Sequence, residues 1–596
     1  VFACLLATLL VLVQPFQVRD TKGAADELVR RLRAQQPADH SWGAGLADAC
    51  RVLDALARSP RAYNDLDGPF FRVPAEHIAR APSGQLDDAL VALALGPCLT
   101  GPVAQARDAA LQRLLDGPPR RDFAALLALR TWPAGGLAFP APQAGDEPAV
   151  AVLLAEDPAS IAPPPASDVA AWTRWARAAR LRGVEPTGLP PLPEPGPEAG
   201  FAELLAALET VNVLHGILSG APAAQLPEAD ERPALVPPGQ DLASALERAF
   251  GFLESAQRAG TFGLGLPGAD EPEPGITAMD LTAALWIVQR TGRARPQWID
   301  AGLDWLASLQ RPDGSIQMYG LDVYTTSVAI EALLAGGRAQ DQPALDRARA
   351  FLLLAQSDEG EGYDSQADPH YGGIGYGGDE RPDLSNTQMA LEAATLAGAS
   401  RADPFFAKAR LYLQRCQNYA EEGVQRWPRA AGGELLTGND GGATYMPGNS
   451  FAGEIRVGDG TWQARSYGSM SYALAKSYVL CGAAPDDPRL AAVVRWLARN
   501  FTVESNPGYA NPGDGAQGLF YYHLVMARTL RRLPDASFAD ESGQPIAWRE
   551  TLSRKLLDTQ RTDGSWINEA SPRWWEGAPP LATAYAVLAL EAIHDT

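Results

Sequence analysis

At 596 residues the chain exceeds what one ordinary hydrophobic core organises, so two domains or a repeat array are expected. Hydrophobic residues at 46% and charged residues at 20% describe a folded chain rather than a disordered one. Asp+Glu 71 against Lys+Arg 50 gives a net charge of −21, and no basic stripe carries interleaved aromatics, so nucleic acid is excluded as a partner.

The chain opens on "VFACLLATLLVLVQPFQVRD", whose residues 1–13 are almost wholly apolar. That length is short for a bilayer span and suits a signal-peptide core, although a charged leader and an A-x-A site are lacking. Residues 1–20 are read as a signal peptide or membrane anchor, which implies export or membrane association. A mis-assigned start, and with it a cytoplasmic protein, stays open. Five cysteines (Cys4, Cys50, Cys98, Cys416 and Cys481) are scattered without a C-x-x-C, which argues against a disulfide framework or a cysteine-rich zinc module.

Residues 21–230 are rich in Ala, Pro and Leu. Helical runs such as "ACRVLDALARS" and "FAELLAALETVNVLHGIL" alternate with proline-laden links such as "GLPPLPEPGPEAG". This pattern predicts a looser all-helical domain, joined to the C-terminal half through "DERPALVPPGQ" at 230–240.

From residue 240 to 596 the sequence repeats itself. "LASLQRPDGSI" (306–316) returns as "LLDTQRTDGSW" (556–566), and weaker copies end in Gln257, Gln356, Gln417 and Asn500. The spacing, roughly 50–60 residues with one longer insertion, signals a helical array. Each phrase is an apolar helix ending in Gln, then a Gly/Asp turn. A second helix of small and apolar residues follows, with Thr or Ser near its start suited to an N-cap. The fold class expected is therefore all-α: an α/α toroid of about six helix hairpins in the C-terminal half beside the helical N-terminal domain. The Gln, Asp-Gly and Trp of the phrase are read as a staple at the ends of outer helices, against the next unit, with Gln560 and Trp566 outside the ring's centre.

Helix pairs carrying Q-x-x-x-G-x-W phrases resemble the prenyltransferase/squalene-oxidase repeats of squalene–hopene cyclases, oxidosqualene cyclases and protein prenyltransferase β subunits. The resemblance runs from about residue 245 to the end. It implies a terpenoid-cyclase-like toroid with an isoprenoid or other small apolar ligand. In the cyclases the middle Asp of D-x-D-D-T-A protonates an alkene. The matching stretch here is "DVYTTS" (322–327), in which Asp322 and Thr326 match but Tyr324 and Thr325 stand at the acid positions. "DLSNTQ" (383–388) keeps Asp383 and Thr387 without the acidic pair. A phenol, with a reference pKa near 10, is too weak an acid to protonate an alkene. Asp322 and Asp383 are the remaining candidate catalytic acids. The prenyltransferase zinc ligands are missing too: "ATAY" (582–585) has Ala582 at the His position, so no metal and no cofactor is expected. His523 in "YYHL" reads as a packed or rim histidine.

"HYGGIGYGG" (370–378) reads as a turn, and "NDGGATYMPGNS" (439–450) as a long loop whose place at the cavity mouth stays open. Candidate ligand-binding residues are Tyr324, Tyr467, Tyr472, Asp440, Trp574, Trp575 and Glu576. Aromatic faces there would suit an isoprenoid cation, and carboxylates among them would suit a glycan. Three functions compete: a cyclase-like isoprenoid-binding protein, a non-catalytic binding or scaffold protein, and a glycan-active toroid.

Overall fold

The computed structural model describes residues 21–131, 143, 146–218 and 233–595, less some single positions and short stretches such as 266–270, 319–320, 378–380 and 430–432. The apolar leader at 1–20, read as signal peptide or anchor, lies outside the described residues. Among the described residues no helix is long and apolar enough to cross a membrane. The chain divides into two compact units at residues 223/224.

The first unit is helical throughout its described length: α1 (21–33), α2 (Leu46–Arg58), α3 (Pro69–Arg80), α4 (Asp88–Ala94), α5 (Gly101–Asp116), α6 (Phe123–Thr131), α7 (Pro148–Leu154), α8 (Val169–Leu181) and α9 (Phe201–Leu218). Asp87 and Asp168 cap α4 and α8 by accepting backbone N–H bonds from Ala89 and Ala171. Trp42, Tyr63, Phe70 and Phe71 fill one core, while Trp172 and Trp175 anchor another. A buried, bidentate Arg61–Asp26 pair (2.6 and 3.0 Å) ties α1 to the loop after α2.

The second unit alternates outer and inner helices. The outer ones are α10 (Leu242–Ala256), α12 (Gln297–Ser308), α14 (Gln342–Leu354), α16 (Pro404–Cys416), α18 (Pro488–Arg499) and α20 (Trp548–Asp558). The inner ones are α11 (Pro274–Thr291), α13 (Asp322–Gly336), α15 (Leu384–Leu396), α17 (Gly468–Leu480), α19 (Leu519–Leu530) and α21 (Pro579–His594). Each inner helix packs on the next, and α21 packs on α11, so the ring is closed. The outer helices carry one apolar stripe, whereas the inner helices are buried on nearly every face, as their Ala, Ser, Thr and Leu content requires. The fold is all-α, of the α/α-toroid kind. A small sheet, β1 (Arg426–Pro428), β2 (Glu434–Leu436), β3 (Glu454–Arg456) and β4 (Trp462–Ala464) in the order β1-β2-β4-β3, is inserted between α16 and α17.

The repeated phrase is a set of three fixed bonds. Its Gln reaches the next outer helix: Gln310 donates to the Ala344 carbonyl (2.8 Å), Gln356 to Phe405 (3.0 Å), Gln417 to Arg489 (2.9 Å) and Gln560 to Ala245 (2.9 Å). The same amide also donates to the carbonyl of the phrase's own glycine, at Gly314, Gly372, Gly441 and Gly564. Those glycines have left-handed φ of 94, 85, 89 and 94°, and a Cβ on them would stand 2.0–2.7 Å from a carbonyl of the neighbouring outer helix. Only glycine fits there.

The third bond corrects one expectation. Thr277, Thr326, Thr387, Ser471 and Thr583 do not cap their own helices. Each hydroxyl accepts the backbone N–H of the phrase's closing residue, Phe262, Ile316, Ile374, Ala443 and Trp566 respectively, at 2.9–3.1 Å. The starts of α11, α15 and α17 are already capped by Glu273, Asp383 and Asn506, so the hydroxyl there is free to pin inner helix to staple. At the equivalent place in α19 stands His523, which bonds the Val503 carbonyl (2.8 Å).

Described residues of the link at 230–240 bond the ring unit. Residues 233–236 pair with the last staple: Val236 N–H donates to the Gln560 carbonyl (2.9 Å) and Thr562 N–H to that of Ala234 (2.8 Å). Described residues of this segment belong to the ring unit.

Candidate functional site

The N-terminal ends of the inner helices gather phenols. Tyr324, at the start of α13, shares a 2.9 Å hydroxyl bond with Tyr585 of α21, and Met279 of α11 lies against the same oxygen. Tyr521 of α19 bonds Ser385 (2.8 Å) and Gln388 (3.3 Å) of α15, and its ring stands 6.0 Å from that of Tyr585. Tyr376, Tyr445, Tyr467 and Asp383 are close enough to interact electrostatically with one another. Burial pushes the Tyr324 phenol up to about 12 and raises Tyr521 further. Yet Tyr324, Ser385 and Tyr521 are only half-buried. The two phenols are desolvated and still retain accessible surface.

The opposite ends of the inner helices are closed by ions. Arg528 of α19 holds Glu331 of α13 bidentately (2.7 and 3.0 Å) and reaches Glu392 of α15 at 3.5 Å. Glu392 also takes Arg532 (2.6 Å) and Lys476 of α17. Burial lowers the Lys476 ammonium to about 8, against the pull of Glu392, while Lys476, Arg528 and Arg532 together hold the Glu392 carboxyl well below its usual range despite burial. A charge in this plug is tolerable only with its partners.

One inner-wall carboxyl has no partner. Asp280 of α11 is fully buried, and neither of its oxygens has a hydrogen-bond donor among the described residues. Burial alone raises its pKa well above the usual carboxylate range, which favours the protonated, uncharged form. Its neighbours in sequence fix its direction. Leu281 packs outward on Gly302, and Met279 reaches Tyr324, so Asp280 projects between the two. Sequence reasoning missed it. The available signal was a lone Asp in "TAMDLTAALW", with no basic residue at i±3 or i±4.

The other candidates are distributed. Asp383 caps α15, accepting the Asn386 backbone N–H (2.8 Å) and side-chain amide (2.7 Å). Asp322 is buried at the first residue of α13, where Gly377 approaches its Cβ. Asp440 accepts from Gly442 N–H (2.9 Å) and Ser466 (2.8 Å), the turn role that Asp313 and Asp563 play for Ser315 and Ser565. The stretch 439–450 therefore begins with a staple rather than a free loop. Tyr472 is buried against Tyr522, with ring centroids 5.8 Å apart. Tyr467 stacks edgewise on Tyr509 (5.5 Å).

Glu576 is fully buried. It accepts the Tyr521 N–H and the Asn568 amide, both at 2.7 Å, and burial raises it to about 7. Trp574 and Trp575 are exposed, with left-handed φ of 55 and 65°, and Trp574 stacks on Phe451 (5.7 Å). His523 is fully buried, and desolvation lowers it to about 4. Among the described residues no three His, Cys, Asp or Glu side chains converge as metal ligands.

No family model and no curated protein matches the chain. Solved structures show distant likeness. A protein from Actinoplanes is 17% identical with a TM-score of 0.35, over 59% of this chain and 99% of that one. The type II terpene cyclase MstE from Scytonema is 16% identical with a TM-score of 0.36, over 59% of this chain and 98% of that one. The ent-copalyl diphosphate synthase from Streptomyces platensis is 15% identical with a TM-score of 0.24, over 97% of this chain and 100% of that one.

Proposed function

We propose that the ring binds an elongated apolar molecule of the isoprenoid class between the phenol end and the ionic plug. The observation that carries this reading is the half-buried yet desolvated pair Tyr324 and Tyr521 on the inner wall. Phenol faces suit alkenes and alkyl chains, and the hydroxyls already bonded to one another leave an apolar surface toward the ligand. The repeat phrases, similar to those of isoprenoid-handling toroids, supply the ligand class.

Binding rather than alkene protonation is the reading that Asp383 and Asp280 favour. Asp383 is spent on a helix cap. Burial favours the protonated form of Asp280, but after donating its proton it would be a bare carboxylate with no donor on either oxygen among the described residues. Nothing there stabilises the charge that proton transfer creates. The carboxylates a glycan enzyme would use, Asp440 and Glu576, hold backbone N–H groups instead.

Titrating the full-length chain with geranylgeraniol and with squalene, followed by tyrosine and tryptophan fluorescence, tests the reading. Saturable binding that is lost in Ser385→Trp, which fills the wall, is expected, with no cyclic product by mass spectrometry. Absence of binding, or binding indifferent to Ser385→Trp, overturns it. Cyclic product that vanishes in Asp280→Asn would make the protein an enzyme.

A further inference from the structure

The first unit has a cavity of its own, 1030 Å³, walled by helices α2, α8 and α9 with α4 and α6. That is at the upper end of the size range for small-molecule sites. Its α4 and α6 side is apolar, with Leu90, Leu93, Phe123 and Leu127. Its α2 and α8 side carries five guanidiniums, Arg51, Arg58, Arg174, Arg177 and Arg180, a dense convergence for a chain of net charge −21.

Most of those cations are committed. Arg58 and Arg177 share Asp54 (both 2.8 Å), Arg174 pairs with Glu147 (3.1 Å), and Arg51 stands 3.8 Å from Glu209. Arg180 makes no ion pair among the described residues. It is seated by an absent side chain: a Cβ on Gly216 would stand 2.8 Å from its Nη1. Glu194 and Glu203 line the cavity as well as Glu209, and none of the three forms an ion pair with Arg180. The cavity thus has apolar residues from α4 and α6 and, from α8, a seated guanidinium that makes no ion pair among the described residues.

We propose that this cavity binds a single-chain amphiphile with an anionic head, a carboxylate or phosphate monoester, placing the head at Arg180 and the tail along α4 and α6. An Arg fork recognises either anion, and the tail buries apolar wall.

Calorimetric titration of the full-length chain with dodecanoate, dodecyl phosphate, dodecanol and dodecylammonium tests this. Both anions should bind at least tenfold more tightly than the alcohol or the amine, and their ratio identifies the preferred head. Arg180→Glu should weaken the anions at least tenfold without moving the melting temperature. Ala206→Trp, at an exposed position on the cavity wall, should abolish binding of both anions. Equal affinity for all four probes, or no binding of any, overturns the proposal. So does anion binding that survives Ala206→Trp, which would place the site elsewhere in the chain.

Discussion

Gln560 donates its side-chain amide to the Ala245 carbonyl, 2.9 Å away and 315 residues earlier in the chain. The bond repeats, between the last unit and the first, what Gln310, Gln356 and Gln417 do between consecutive units. Ring closure therefore uses the same side chain as ring growth. Gln560→Ala removes the bonds to Ala245 and Gly564 and leaves buried carbonyls unpaired, so it should cost about 2–3 kcal/mol. Asn500→Ala, at the degenerate copy whose amide reaches only the Trp496 carbonyl of its own helix, should cost less than about 1 kcal/mol. Denaturant titration of both variants checks this, and equal losses would contradict it.

Gly564 separates conformational strain from steric strain. A Cβ there meets the Arg248 carbonyl at 2.1 Å, whereas Gly543, also left-handed at φ 83°, has nothing within 4 Å. Gly543→Ala should lose only the backbone preference, about 1 kcal/mol. Gly564→Ala adds displacement of a neighbouring helix and should lose about 2–5 kcal/mol. Urea midpoints for the two variants provide the comparison.

Trp566 is fully buried, and its Nε1 donates to the Leu556 carbonyl (2.8 Å), against the outer helix and away from the ring's centre. Trp566→Ala should cost about 3–5 kcal/mol, read as a lower melting temperature and denaturant midpoint. An unchanged midpoint would mean that the indole is not part of the staple.

The ring was legible because its period is carried by residues with no substitute. The Gln bond to the next outer helix, the left-handed Gly and the Thr or Ser recur together in four units; the Gln257 and Asn500 amides donate only within their own helices, and α19 has His523 in the hydroxyl's place. Two units hid this. In the third, Gln356 and Gly372 are separated by an insertion, and in the fourth, Gln417 and Gly441 are separated by β1 and β2, so the sequence showed a glycine-rich turn and a loop where the structure has staples. Asp440 looked like a site residue for the same reason, since out of its phrase an Asx turn reads as a free carboxylate. Asp280 was hidden differently. A lone buried acid in an apolar helix has no partner to form a motif, and only three-dimensional burial marks it.

The ionic plug should behave as a unit. Glu392→Gln strips the shared partner from Lys476, Arg528 and Arg532 and should cost about 3–5 kcal/mol. Lys476→Met in the same chain should restore part of that loss, because the cation left poorest in partners is then gone. Denaturation of the wild type, single and double variants measures the coupling. Additive losses would show that the plug is wetter than its geometry.

Asp280 should leave a signature in the pH dependence of stability. Below about pH 4 the carboxyl is protonated in both the folded and the unfolded chain, and it contributes no slope. As pH rises, the unfolded chain ionises at the ordinary carboxylate value, while the folded one, raised by burial, holds its proton. The folded state then binds more protons, so stability falls by up to about 1.4 kcal/mol per pH unit until the raised folded value is reached. Asp280→Asn cannot titrate. It should be the less stable protein at pH 4, because a buried amide without partners costs about 1–3 kcal/mol. The gap should then narrow, and reverse, toward pH 7 and above. All other carboxylates, Glu576 among them, titrate alike in both proteins and cancel in the difference. Unfolding free energies of wild type and Asp280→Asn at half-unit steps from pH 4 to 8 decide it: parallel profiles would show that Asp280 ionises freely in the folded ring, and with that the argument for binding without protonation would lose its footing.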